Sequence, residues 1–224
     1  MKSRIIAVVL FGLVGAAILV SLGLWQIQRL AWKQGVLADI EAHIAAEPVG
    51  LPDPVVRERD RYLPVEVGGR FSGDPVRVLV SLQGSGPGFR LVQAFETGGR
   101  RVLVDRGFLA DGVAIPTAPQ GDVTVTGNLH WPDEVDGFTP APDLVRNQWF
   151  ARDVSALATH LETEPVFVVL RGLSVSDTPV TPLPVTTQDI PNNHLGYAVQ
   201  WFALALVWLG MTAFLLWRIT RRRL

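Results

Sequence analysis

Two long apolar runs near the two ends of the chain dominate its hydrophobic pattern. Residues 5–24 carry no charged side chain, and residues 195–217 carry none either. A helix that rises about 1.5 Å per residue needs roughly 20 residues to cross a hydrocarbon layer of about 30 Å. Tyr197 and Trp201 at one end of the second run, and Trp217 at the other, match the aromatic belts that flank membrane spans. The pattern predicts transmembrane helices at residues 5–24 and 195–217.

A cleaved secretory signal is the alternative interpretation of the first run. Signal peptides have an apolar region of about 7–15 residues and a cleavage site of the small-x-small type. The first run is longer, and the sequence Leu22-Gly23-Leu24-Trp25-Gln26 does not fit such a site. We therefore interpret residues 5–24 as a span.

One side of the first helix carries small residues at helical spacing. Small residues at this spacing let a second helix approach closely, although they are also common on lipid-facing surfaces. The residues concerned are Gly12, Gly15, Ala16, Leu19 and Gly23.

Between the two spans the hydrophobic pattern becomes short and interrupted. Apolar residues at helical spacing predict that the first helix continues outward over residues 25–47. A β-rich core is predicted over residues 61–173, where Val-rich and Leu-rich segments alternate with Gly, Pro and Asp, and Gly98-Gly99 is typical of a hairpin. Asp153 is the predicted N-cap of one short helix at 154–161. The predicted strands are 62–67, 76–81, 90–95, 101–105, 123–129 and 166–170.

These elements predict a membrane α+β fold with two transmembrane helices flanking one β-rich periplasmic domain that contains a short helix. Lys2 and Arg4 precede the first span and arginines follow the second, so the positive-inside rule places both ends in the cytoplasm. The predicted boundaries are a cytoplasmic N-terminus 1–4, a first transmembrane helix 5–24, a periplasmic domain 25–194 with a helical extension 25–47, a β-rich core 61–173 and a Pro-rich return 174–191, a second transmembrane helix 195–217 and a cytoplasmic C-terminus 218–224.

This topology brings together two segments that are far apart in sequence. The first helix leaves the membrane at the same face where the second one enters it. The residues expected to meet there are Trp25, Gln26 and Arg29 from the first helix and His194, Tyr197 and Trp201 from the second. Gln26, Arg29 or Lys33 is the candidate to bind the carboxylates of a flat ring held there.

The composition excludes several classes of metal protein. The chain has no cysteine, so it has no disulfide, no Fe–S ligation, no thiolate zinc site and no covalent c-type haem. Its two methionines leave a copper(I) chaperone without its soft ligands. A net charge of −1 gives no indication of a nucleic-acid partner.

His194 is the candidate ligand because of its place at the start of the second helix. Pro191 blocks an earlier start, and Asn192 or Asn193 is the expected cap. The free amides and the helix dipole disfavour a charged imidazolium, so a neutral ring with a lone pair is expected there. Spacing of i, i+3 and i+7 groups His194 with Tyr197 and Trp201 on one face, against which a flat apolar ring can lie. The alternative is an interfacial histidine that only binds lipid headgroups.

Other motifs have ordinary structural interpretations. Residues 84–88 are glycine-rich but lack the lysine and the helix of a phosphate loop, so we expect a mobile loop. Asp105-Arg106-Gly107 is expected to end a strand with an ion pair beside a turn, and contact with a partner or a propionate is the minority interpretation. His43, His130 and His160 are expected at the surface or half-buried. The sequence shows no grouping of a nucleophile with a base that would indicate an enzyme.

Four motifs, taken together and in this order, resemble the surfeit locus protein family (Shy-type) of cytochrome c oxidase assembly factors. The two motifs beside the membrane helices are specific, whereas the central one is loose. The motifs are Leu22-Gly23-Leu24-Trp25-Gln26-Ile27-Gln28-Arg29-Leu30-Ala31-Trp32-Lys33, Val102-Leu103-Val104-Asp105-Arg106-Gly107-Phe108, Trp149-Phe150-Ala151-Arg152-Asp153 and Asn192-Asn193-His194-Leu195-Gly196-Tyr197-Ala198-Val199-Gln200-Trp201.

The resemblance implies a two-helix protein of the bacterial inner membrane that is not an enzyme. It implies haem a as a transient cofactor, His194 as its axial ligand, and the catalytic subunit of cytochrome c oxidase as the partner, with a haem a synthase as a second candidate partner. Trp25, Tyr197 and Trp201 are expected on the macrocycle, and Gln26 or Arg29 near its propionates. A haem-free membrane scaffold for the nascent subunit is the alternative, and an outer-face hydrolase or sensor is the alternative from another class.

The chain departs from the family pattern in its central motif. Asp105 and Phe108 stand where Asn and Trp are usual, and Ala94 stands where Pro is expected. These departures concern the domain between the spans rather than the membrane motif.

Overall fold

The computed structural model describes residues 2–187 and 190–221. The chain divides into two units, one formed by the segments that precede Ile40 and follow Thr186, and the other by residues 40–186. The elements in chain order are α1 (Lys2–Ile44), α2 (Arg57–Asp60), β1 (Pro64–Leu82), β2 (Gly86–Thr97), β3 (Arg100–Ala110), β4 (Val123–Leu129), β5 (Gln148–Trp149), α3 (Val154–Leu161), β6 (Phe167–Leu173) and α4 (His194–Arg221).

Two helices are long and apolar enough to cross a membrane. The candidate spans are Ser3–Ile44 and His194–Arg221, and few of the residues in their most apolar windows are buried within the protein. Apolar side chains that cover most of a helix surface are stable only where lipid or protein covers them. The two helices are therefore consistent with a membrane protein of the α+β class.

The unit of residues 40–186 is built around a mixed sheet whose strands close into a ring. Strand β1 pairs with both β2 and β4, and the order β1-β2-β3-β6-β4 returns to β1. The β3–β6 pair is parallel, the other pairs of the ring are antiparallel, and β5 is added to β1 as a short parallel strand. Closing the ring pairs the strand edges that an open sheet would leave free.

Strand β1 runs through a region where the sequence predicts a break. Two strands are predicted, 62–67 and 76–81, because glycines, Asp74 and Pro75 lie between them. The structure has one strand instead: β1 pairs with β4 over residues 64–69 and with β2 from Arg70 onwards, and a bulge between Ser72 and Val76 lies within the part that pairs with β2. The Gly and Pro residues mark a bend in a continuous strand, which is a usual place for them in sheets.

The core of this unit lies inside the ring and under α3. Phe95, Leu103, Leu129, Leu157 and Phe167 are fully buried there. Burying such side chains stabilises the fold by about 1.5–3 kcal/mol each. The Val-rich and Leu-rich segments that predict the strands thus supply side chains that fill the core.

Helix α3 has the predicted bounds and the predicted cap. The carboxylate of Asp153 accepts hydrogen bonds from the backbone N–H groups of Ser155 and Ala156, both at 3.0 Å. The helix ends at Glu162, which has a left-handed backbone with φ of 54°. The hairpin at Gly98-Gly99 is also confirmed, since both residues have positive φ between β2 and β3.

Residues 174–187 contain bends and a turn at Thr178-Pro179, and part of this segment packs against the sheet. Thr181 forms an isolated bridge with Phe108, and Val180 is buried with Leu91 and Leu109. The carbonyl of Thr181 lies where a side chain on Gly107 would be, and Gly107 has φ of 121°. Gln188 and Asp189, within the predicted return 174–191, lie outside the described residues.

The expectation that Asp105-Arg106-Gly107 ends a strand is wrong, whereas the expected structural use of its charges in ion pairs is confirmed. Strand β3 continues to Ala110, with a bulge opposite Leu91, so the motif does not end a strand. Asp105 and Arg106 also bind other residues: Asp105 is paired with Arg90 at 2.7 Å, and Arg106 is fully buried against Asp177. A buried guanidinium is not available to a propionate or to a partner.

Sequence reasoning also missed the shortest elements. Helix α2 is a single turn within the predicted loop, and β5 is two residues long. Residues 84–88, predicted as a mobile loop, connect β1 to β2 and contribute to β2.

Candidate functional site

The two membrane helices are joined by a hydrogen bond between His194 and Gln26. His194 Nδ1 lies 2.8 Å from Gln26 Oε1. Gln26 is buried, with 9% of its surface exposed, and His194 is half-buried. The predicted meeting of the two motifs at the end of the first span is present in the structure.

The hydrogen bond fixes which nitrogen of His194 carries the proton. An amide oxygen has no hydrogen and can only accept, so Nδ1–H donates to Oε1. In a neutral imidazole the other nitrogen, Nε2, then has the lone pair. This arrangement is the usual one for a histidine that binds a metal, whose second ring nitrogen is held by an oxygen acceptor.

His194 is the first residue of α4, as the proline and asparagines before it predict. The carbonyl of Asn193 accepts the backbone N–H of Tyr197 at 3.2 Å, so Asn193 is in the N-cap position. The side-chain oxygen of Asn192 is buried and has no hydrogen-bond partner among the described residues, so Asn192 is not the cap. The side-chain oxygen of Asn192 can therefore still accept a hydrogen bond beside the start of the helix.

Glycines of α1 form notches that receive large side chains of α4. A side chain added at Gly12 would collide with Thr212, one at Gly15 with Trp208, and one at Gly23 would lie 2.7 Å from Phe202. Trp208 Nε1 also donates to the carbonyl of Gly12 at 3.0 Å. The predicted small-residue face is therefore the packing face, filled by bulky side chains.

The predicted aromatic residues differ in the exposed fraction of their side chains. Trp25 is 53% exposed and Tyr197 is 50% exposed, whereas Trp201 is half-buried. Ala198, on the same helix face as Tyr197 and Trp201, is buried, and so is Ala205, one turn beyond Trp201. Two aromatic side chains close in sequence to Gln26 and His194 are thus about half exposed.

The predicted cationic residues are engaged in different ways. The guanidinium of Arg29 lies 3.9 Å from the centre of the Trp32 ring and makes no ion pair with any described residue. Lys33 Nζ donates to the carbonyl of Pro191. Lys33 therefore ties α1 to the residues that precede α4, and Arg29 retains its full charge at the surface.

The sequence matches the SURF1 family over residues 13–206. This chain belongs to the SURF1 family. The matched range contains most of α1, the whole sheet and the first half of α4, so it includes both Gln26 and His194.

Proteins related to this SURF1-family chain come from animals and from bacteria. It is 32% identical to surfeit locus protein 1 of Homo sapiens over 210 residues, which are 82% of this chain and 69% of the human protein. The corresponding protein of Rattus norvegicus is 30% identical over 82% of this chain and 67% of its own length. A SURF1-like protein of Rickettsia felis is 27% identical over 92% of this chain and 93% of its own length.

The other histidines of this SURF1-family chain are placed as expected. His43 and His160 are exposed, and His130 is half-buried with its ring stacked on Tyr62 at 5.4 Å. Within residues 2–187 and 190–221, no three His, Asp or Glu residues lie close enough together to hold a metal ion. A site for a free metal ion has no ligand set in the described part of the chain.

The large clefts of the unit formed by residues 40–186 are lined mainly by charged and turn residues. One, of about 590 Å³, contains Arg100 bound to Glu164 at 2.5 Å together with Asp153, which caps α3. The Arg100–Glu164 ion pair and the Asp153 cap thus already stabilise the fold. The described lining of this cleft contains no histidine or lysine to act as a base for a hydrolase.

Sequence reasoning missed the packing partners of the glycine notches. Phe202 and Thr212 were not singled out, and Gln26 was expected near a propionate rather than on His194. The spacing of Ala198 and Ala205, seven residues apart, is the signal that marks the inner face of α4, and Phe202 lies between them at i+4 from the first.

Proposed function

We propose that this chain is a membrane-anchored assembly factor for a haem-copper cytochrome c oxidase, and that it binds haem a through His194 before the catalytic subunit receives it. The SURF1 family is known generally as a family of cytochrome oxidase assembly factors. The observation that carries the haem proposal is the hydrogen bond of 2.8 Å between His194 Nδ1 and Gln26 Oε1. It presents Nε2 as a lone-pair donor.

The residues present fit a haem better than they fit a free metal ion. A porphyrin supplies four nitrogen ligands to its iron, so one imidazole from the protein is enough to hold it. A free ion needs three or four protein ligands, and no such group exists among the described residues. His194, with its proton fixed on Nδ1, is the right kind of single ligand.

Apolar and charged groups around His194 suit the rest of such a molecule. Trp25 and Tyr197 are half exposed, and Trp201 lies on the same helix face as Tyr197. Flat aromatic side chains of this kind pack well against a large apolar ring. Arg29, which has no ion-pair partner among the described residues, is the candidate for binding the propionates, while Gln26 holds the imidazole.

Ligation by one histidine also suits release. Haem supplies an iron that binds a second axial ligand, and a protein that fills only one axial position leaves the other for the acceptor. The chain then has to give up a single bond and an exposed aromatic surface. Binding of this kind favours transfer rather than storage.

The proposed location follows from the charge at the ends of the spans. Lys2 and Arg4 lie at one end of α1, and Arg218 and Arg221 lie at the corresponding end of α4. The positive-inside rule then puts both ends in the cytoplasm of a bacterium and residues 25–194 in the periplasm. Fusion of a periplasm-dependent reporter at residue 120 and at the C-terminus tests this orientation.

A haem-free scaffold is the second candidate function. The specific observation in its favour is that the His194–Gln26 bond and the glycine notches already hold α1 and α4 together. In that case His194 serves packing alone, and the oxidase subunit binds to the helices or to the domain.

Coexpression with a haem a synthase distinguishes the two functions. Purified wild-type protein is expected to show a Soret band and the α-band of haem a, and His194→Ala is expected to lose most of both. His43→Ala, at an exposed histidine of α1, is the matched control and should keep them. Equal haem content in wild type and His194→Ala would remove His194 as the ligand, and no haem in either would favour the scaffold.

A further inference from the structure

The connection between β4 and β5 carries the two most exposed large apolar side chains in the described part of the chain. Phe138 is 94% exposed and Val145 is 98% exposed. On the membrane helices, where lipid is expected to cover apolar groups, the highest value is 72%, at Leu206. Leu144 is a further exposed apolar residue of the connection, at 59%. Exposed apolar groups bordered by polar residues are a feature of protein interaction sites.

Phe138 stands on an ordered turn. The backbone N–H of Phe138 donates to Asp136 Oδ1 at 2.9 Å, and the hydroxyl of Thr139 donates to the same oxygen at 2.9 Å. The N–H of Asp136 in turn donates to Thr139 Oγ1 at 2.9 Å. The phenyl ring is therefore held out by the turn rather than exposed by a loose chain.

Val145 stands on a second ordered turn. Asp143 and Gln148 exchange two backbone hydrogen bonds of 2.9 Å, and the N–H of Arg146 donates to Asp143 Oδ1 at 3.0 Å. Asn147 Nδ2 donates to the carbonyl of Pro75 at 2.9 Å, which fastens the turn to β1. Both apolar groups are thus presented on a preorganised backbone, which lowers the entropic cost of binding.

The residues around these two tips are mainly acidic. Four carboxylates lie in residues 131–147, with Arg146 as the only lysine or arginine. Hydrogen bonds from the N–H of Phe138 and the hydroxyl of Thr139 lower the pKa of Asp136, so that it stays ionised. Asp133 makes no ion pair with any described residue, whereas Glu134 is paired with Arg152 and Asp143 lies 3.6 Å from Arg146. The four carboxylates are Asp133, Glu134, Asp136 and Asp143.

We propose that residues 133–146 form a docking surface for a protein partner that presents an apolar recess bordered by lysine or arginine side chains. The apolar tips fill the recess, and the carboxylates face the basic border. This combination of apolar anchors and a complementary charged rim is typical of specific protein interfaces. Surfaces of anionic lipid are disfavoured as the occupant, because the carboxylates repel phosphate headgroups. The proposal does not depend on haem binding at His194.

Photocrosslinking of the full chain in the membranes of its own host tests this surface. A photoreactive benzoylphenylalanine replaces Phe138, and the matched control replaces Val113, which is 43% exposed in the connection between β3 and β4. The expected result is a crosslink from position 138, absent at position 113, to one protein. Mass spectrometry of the attached peptide should place lysine or arginine beside apolar residues.

Charge variants then test the complementarity. Asp136→Asn removes the charge but keeps Oδ1 as the acceptor of the turn, and Asp133→Lys reverses a charge that makes no ion pair with any described residue. The double variant is expected to lower the crosslink yield about 5- to 10-fold. Asp122→Lys, at an exposed carboxylate outside the connection, is expected to leave it unchanged. Crosslinks to lipid, to a second copy of the chain or to nothing would overturn the proposal. A crosslink yield that is the same in the double variant as in wild type would also overturn it.

Discussion

The fully buried guanidinium of Arg106 on β3 is held by the carboxylate of Asp177, 71 residues further along the chain. Arg106 Nη2 lies 2.6 Å from Asp177 Oδ1, and Nε lies 2.9 Å from Oδ2. Arg106 Nη1 also donates to Gln93 Oε1 at 2.9 Å, so the guanidinium has oxygen partners on two sides. The pair fastens the residues that follow β6 to the sheet.

Asp177→Ala is expected to destabilise the unit formed by residues 40–186 by about 3–5 kcal/mol. Removing one partner of a buried pair leaves the other charge without compensation. Arg106 has no exposed surface through which water could replace the carboxylate. Urea unfolding of the full chain in mild detergent, followed by tryptophan fluorescence, measures the loss.

The control for this prediction is an exposed pair on the same sheet. Arg70 and Glu96 lie 3.1 Å apart, with 67% and 36% of their side chains exposed. Water screens such pairs, so Glu96→Ala should cost far less than Asp177→Ala. Similar losses in the two variants would show that burial of the Arg106 pair does not matter.

His130 is expected to make the stability of the same unit depend on pH. Burial, together with the positive charges of Arg152 and Arg61, lowers the pKa of His130 to about 4. The unfolded chain has a histidine pKa of about 6.5, so it takes up a proton between pH 6.5 and 4 that the folded chain does not. This difference in proton uptake leaves the free energy of unfolding unchanged above about pH 6.5. As the pH falls below that value, the free energy of unfolding decreases, by about 3 kcal/mol at most.

His130→Phe removes this titration and keeps a ring beside Tyr62. Urea unfolding between pH 7.5 and 4.5 should give a flatter dependence for this variant than for wild type. The matched control is His160→Phe, at an exposed histidine. A dependence for His130→Phe as steep as that of wild type would mean that other groups cause the acid sensitivity.

Local pattern predicted most strands and helices but not the way in which β1 continues. Most residues of the two segments predicted as strands, 62–67 and 76–81, lie in β1. Gly73 and Pro75 are equally compatible with a loop and with a bulge, and long-range pairing decides between them. Strand β1 passes from β4 to β2 between Gly69 and Arg70, and no local signal contains that information.

The contact at the membrane face was predictable for a different reason. Two spans of opposite direction must bring the end of one beside the start of the other, so Gln26 and His194 could be expected to meet. The roles of Gln26 and Lys33 could not be predicted, because polar side chains choose partners by distances that sequence does not give. The structure pairs Gln26 with His194 and Lys33 with the carbonyl of Pro191.

Gly15→Val is expected to weaken the packing of α1 on α4 by about 1–3 kcal/mol. A side chain at this position would overlap the indole of Trp208, and overpacking of this kind forces side chains away from their preferred rotamers. Thermal unfolding in mild detergent measures the effect. Gly210→Val, at a glycine of α4 with open space around it, is the control. Equal unfolding temperatures would mean that the notch does not hold the helices.

Gln26→Leu is expected to change the protonation pattern of His194 without any haem present. Leucine offers Nδ1 no acceptor, so the proton is no longer confined to that nitrogen. Nitrogen-15 NMR of the imidazole should show the Nδ1–H form in wild type and a mixture of both tautomers in Gln26→Leu. Gln34→Leu, at an exposed glutamine of the same helix, should leave the His194 signals as in wild type.

The same variant is expected to lower the affinity for haem a about 10- to 100-fold, which is the usual cost of losing the residue that orients a metal-binding histidine. Titration of detergent-solubilised protein with haem a measures this loss, and the NMR measurement separates its causes. A changed tautomer with unchanged haem affinity would show that Gln26 orients His194 but that His194 is not the ligand. Unchanged nitrogen signals in Gln26→Leu would show that the amide does not set the tautomer, whatever the protein binds.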